Sequence, residues 1–93
     1  MTQEQKKWVR KEIFGYMRAW YQEEMKLLDM TDPDGIEVTA EWVGNFEGHA
    51  RGLVDGIWLA DRKFSYRMLC FVNNLKWHWQ QVINREYRKR TAA

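Results

Sequence analysis

The chain has a single cysteine, a single proline and no long apolar run, and each shortage removes a class of explanation. Cys70 has no second thiol to pair with, so no internal disulfide braces the fold, and the lone thiol agrees with a reducing compartment. No stretch approaches the roughly 20 apolar residues that cross a bilayer. The opening Met1-Thr2-Gln3-Glu4-Gln5 lacks the apolar core of a secretory signal. The expectation is a cytoplasmic protein that makes no membrane contact. Repeats of domain scale and low-complexity linkers are absent too, which leaves 93 residues for one small domain.

Patterns that carry chemistry are equally scarce. Cys70 and His78 share a helical segment at a spacing of eight, and His49 stands alone, so no zinc-ligand or nucleophile-base spacing appears. Glu23 and Glu24 are adjacent rather than facing, which suits a solvated helix surface better than paired acid and base roles. Asp32, Asp34, Gly35 and Glu41 fall at positions three, five, six and twelve of a calcium loop. However, Met30 would be the first ligand and Pro33 lies inside the loop, so a capped turn is expected there. The reading is a non-enzyme without catalytic residues, metal or cofactor.

What the chain does have is glycine at a fixed interval. Gly44, Gly48, Gly52 and Gly56 recur every four residues inside a segment whose apolar residues repeat like a helix. Glycine in a helix interior costs about 1 kcal/mol relative to alanine, so such a row implies a surface made for close contact. The contact could be with a neighbouring helix of the same chain, a second copy, or a foreign partner.

Apolar spacing predicts an all-α, three-helix domain with long first and third helices and a hairpin formed by the second and third. The helices are expected at about residues 3–30, 40–60 and 66–90. Thr2 and Gln5 form a candidate capping box for the first, with Val9, Ile13, Tyr16, Met17, Trp20 and Leu27 in its core stripe. Thr31-Asp32-Pro33-Asp34-Gly35 marks a turn, residues 36–38 a short extended piece, and Thr39 a cap for the second helix. Its core stripe takes in Trp42, Val43, Phe46, Ala50, Leu53, Val54 and Ile57. Residues 61–63 read as the next connection, Ser65 as the third cap, and Phe64 as a staple onto Leu69 that also begins a core stripe of Met68, Phe71, Val72, Leu75, Trp79, Val82 and Ile83. A competing reading makes residues 36–59 strands with a turn at Asp55-Gly56.

Fourteen aromatics, six of them tryptophan, exceed what a core this small buries easily, and such side chains are favoured at interfaces. The expected function is therefore a small protein-protein interaction module, an adaptor, regulator or inhibitor that occupies a partner surface and self-associates as a homodimer. Its candidate contact residues are Phe14, Tyr21, Asn45, Gly48, His49, Gly52, Tyr66 and Trp77. The alternative partner is nucleic acid. Charge is uneven: residues 31–60 hold one basic and six acidic groups, whereas residues 61–93 hold eight and two. Lys76, Arg85, Arg88, Lys89 and Arg90, interleaved with aromatics, could bind phosphates. Size and composition also suit a viral or mobile-element accessory protein.

Overall fold

A computed structural model describes residues 1–92. Three helices follow one another, α1 (Gln3–Leu27), α2 (Pro33–Gly56) and α3 (Arg62–Thr91). The all-α, three-helix domain stands as expected, and the described residues include no strand in 36–59. The up-down-up arrangement places α1 and α3 side by side in the same direction. Lys6 meets Asp61 near one end at 3.5 Å, and Asp29 meets Arg90 near the other at 2.7 Å. α2 runs back between those ends and packs most extensively on α1. At about 1.5 Å per residue the longest helix reaches about 45 Å. The molecule accordingly measures 51 × 25 × 17 Å. Its radius of gyration is 15.4 Å, against about 12 Å for a compact chain of this length.

The cap of α1 is the one the sequence indicates: Gln5 N–H donates to Thr2 Oγ1 at 3.1 Å and Thr2 N–H to Gln5 Oε1 at 2.8 Å. The other two helices start earlier than expected. Asp32 caps α2 by accepting from Gly35 N–H at 3.1 Å, with Pro33 in the first turn, where its missing N–H is harmless. Residues 36–38 are thus helical, and Thr39 lies buried inside the helix. Asp61 caps α3, accepting from Phe64 N–H at 3.0 Å. Ser65 is buried instead, and its hydroxyl donates to Val54 O at 2.8 Å. That carbonyl belongs to the last turn of α2, where acceptors lack intrahelical partners. Ser65 therefore closes the α2–α3 hairpin from inside.

Val9, Ile13, Met17 and Trp20 from α1 meet Ala50 and Val54 from α2 and Phe64, Met68, Val72 and Ile83 from α3 in one core. Each set follows a helical stripe, and this burial holds the helices together. Phe64 lies in the core, as the stripe of the third helix predicts. Trp42 departs from its expected place: it is 51% exposed and stacks on Phe46 with ring centroids 5.6 Å apart.

Candidate partner-binding surface

The outer side of α2 is the least ordinary surface of the molecule. A Cβ built on Gly44, Gly48, Gly52 or Gly56 would meet nothing within 4 Å. Packing of the glycine row on α1 or α3 is thereby excluded; the row faces outward because Ala50 and Val54, on the opposite side, supply the core contact. Val38, Trp42, Asn45, His49, Gly52 and Gly56 recur at alternating steps of four and three, the spacing of a seam that a second helix can follow. Val38 is 54% exposed. At the far end Gly56 and Ile57 join Met1, Gln5 and Trp8 around an open hollow of about 500 Å³. Asp34, Glu37, Glu41 and Asp55 are exposed on the same helix and make no ion pair among the described residues. The surface is therefore flat along its glycines, apolar at Val38 and Trp42, and acidic on the side of the helix that carries the glycine row.

The sequence-derived contact residues do not form one patch. Asn45, Gly48, His49 and Gly52 lie together on α2, and the His49 ring stacks on Tyr16 at 5.2 Å. Phe14 and Tyr21 belong to the seam between α1 and α3. Their rings lie 5.8 and 5.2 Å from that of Trp79, and Tyr21 is half-buried, which makes it a packing residue more than a free anchor. Tyr66 and Trp77 sit on the solvent side of α3, 64% and 61% exposed, with Cys70 half-buried on that side. Sequence reading missed Val38 and Trp8, and counted Trp42 as core. A helical wheel begun at Pro33 places Val38 and Trp42 beside Asn45, His49 and Gly52.

Three of the five basic residues singled out at the carboxyl end are committed within the chain. Lys76 donates to both Glu47 oxygens at 3.0 and 2.9 Å, and Arg51 donates to Glu47 at 2.9 Å. Burial works to raise the Glu47 carboxyl, but the hydrogen bonds from Lys76 and Arg51 outweigh it and hold the group below the usual carboxylate range. Neighbouring Glu24 is pushed up, chiefly by burial, with Lys76 pulling it down and Glu47 adding to the rise. Arg90 binds Asp29 and Glu86, and Lys89 binds Glu86. Arg85 and Arg88 form no ion pair among the described residues.

No group of three His, Cys, Asp or Glu converges on a metal-sized site among the described residues. Asp32, from the calcium-loop spacing, serves as a helix cap. No described helix is long and apolar enough to cross a membrane. Comparison with family models, curated proteins and solved structures gives no match.

Proposed function

We propose that this chain is a small non-enzymatic interaction module that acts as an adaptor, regulator or inhibitor by seating the outer face of α2 on a helix of a partner protein. The observation that carries the reading is the open glycine row set between exposed apolar side chains. Four glycines weaken the helix and receive no packing from their own chain in return. A helix backbone can approach such a face closely, with Trp42 and Val38 as anchors at one end and Trp8 at the other.

Charge selects the kind of partner. In a symmetric antiparallel pair centred on Gly48, Glu41 of one copy would lie against Asp55 of the other, acid against acid. A foreign helix with basic flanks suits the surface better than such a homodimer. Light scattering across a concentration series reads self-association directly. For the foreign partner, immobilised wild-type protein is compared with Gly48→Leu, which obstructs the face while favouring helix. A protein retained by the wild type and lost by Gly48→Leu supports the reading. Identical retention by both, with Trp42→Ala also unaffected, refutes it.

A further inference from the structure

The cations of this protein divide into those the fold explains and those it does not. Lys6, Lys26, Arg51, Lys76, Lys89 and Arg90 have carboxylate partners. Arg88, Lys89 and Arg90 also stand in the last turn of α3, where the helix dipole favours positive charge. Arg62 and Lys63 stand in the first turn of the same helix, where the dipole opposes them and the one acid at that end, the N-cap Asp61, is paired with Lys6. Between Arg62 and Arg85 the sequence has no Asp or Glu at all. Neither pairing nor helix stability accounts for Lys63 and Arg67.

Their surroundings indicate a ligand. Lys63, Tyr66 and Arg67 share an open hollow of about 400 Å³ with Trp58 and Arg62, whose guanidinium lies 5.4 Å from the Trp58 ring centroid. One turn beyond Arg67, Phe71 lines a second hollow of about 510 Å³ together with Lys7, Arg10, Lys11 and Phe14 of α1. The two hollows thus adjoin along one side of α3. Trp77 follows Tyr66 by eleven residues, about three helical turns, so two exposed rings project from the same side of the helix. Exposed Asn74 and Gln81 lie between and beyond them, offering donors and acceptors. Of the acids of α2, Asp34, Glu37, Glu41 and Asp55 are exposed on that helix's own outer face, and Glu47 is neutralised by Lys76 and Arg51.

We infer that the solvent side of α3, together with Lys7, Arg10 and Lys11, binds single-stranded nucleic acid. The cations contact phosphates, and Tyr66 and Trp77 stack on unpaired bases. Fixed positive charge with free aromatic rings is the combination such strands require, because a duplex hides its base faces and an acidic peptide offers none. This surface shares no residue with the α2 face and does not rest on the protein-partner reading.

The test is fluorescence anisotropy with a labelled 20-nucleotide oligothymidine, its RNA counterpart, and a duplex of equal length, titrated with the full chain at several salt concentrations. With about five phosphates engaged, the log-log salt slope for a single strand should be about −3.5, a loss of roughly 100-fold between 50 and 200 mM salt. Lys63→Ala/Arg67→Ala should weaken binding at least tenfold and flatten the slope by about 1.4. Tyr66→Ala/Trp77→Ala should weaken it by about tenfold or more with the slope unchanged. Gly48→Leu should bind as the wild type does. All four substituted positions on α3 are exposed, and circular dichroism confirms that each variant is folded. No binding at 50 mM salt, equal affinity after either double substitution, or tighter binding of the duplex than of the single strand overturns the proposal.

Discussion

Replacing Gly48 and Gly52 together by alanine should make the isolated protein more stable. Each glycine is inside α2 with open space where the new methyl group would sit, so no neighbour has to move. Alanine is favoured over glycine in a helix interior by about 1 kcal/mol, and the two sites together should give about 2 kcal/mol. For a domain of this size that raises the melting temperature by about 10 °C. The urea midpoint should rise by about 1 M with an unchanged m-value. Thermal and urea unfolding followed by circular dichroism at 222 nm read both shifts. A lowered melting temperature would mean that the glycine row is packed in the solution species, and would refute the reasoning that leaves this face free. On the proposed reading, the same variant should bind a partner helix less tightly, because its methyl groups would hold the two backbones apart. Gain of stability with loss of binding is the signature of a surface kept for contact.

Other perturbations test the core and the helix connections. Trp20→Ala removes the largest fully buried side chain and should destabilise the fold by about 3–5 kcal/mol, read from the urea midpoint. Ser65→Ala strips the buried Val54 carbonyl of its donor and should cost about 1–3 kcal/mol, whereas Ser65→Thr should restore part of it if the added methyl group is accommodated. The Glu47 carboxyl lies below its unfolded range, so its contribution is present above about pH 4.5 and is lost as pH falls through the folded value. Melting temperature should fall as pH drops below about 4.5, and Glu47→Gln should show a shallower fall.

Much of the fold was readable because it rests on local pattern. The core stripes of α1 and α3 follow helical spacing, and Thr2 with Gln5 forms the capping box that their identity and separation suggest. The two later starts were misplaced for a common reason. Thr39 and Ser65 each precede an apolar run, but a stronger cap lies upstream, Asp32 before Pro33 in one case and Asp61 in the other. Each helix therefore gains a turn or more, and the hydroxyl residue turns inward. The glycine row was visible in the sequence, but which side of α2 the core would take was settled only by tertiary packing. The division of the cations was not visible at all. Lys76 meets Glu47 across a separation of 29 residues and Arg90 meets Asp29 across 61. Only that long-range pairing shows that Lys76 and Arg90 are occupied, while Lys63 and Arg67 have no carboxylate partner among the described residues.

The claim at the centre of this account is that another protein covers the outer face of α2. A photo-crosslinking amino acid placed at Asn45, on that seam, tests it in the cell that makes the protein. Gln22, exposed on α1 and away from the seam, serves as the reference position. A discrete crosslinked product is expected from Asn45, absent from Gln22 and lost when Gly48→Leu is added. Equal products from both positions, or none from Asn45, would contradict it.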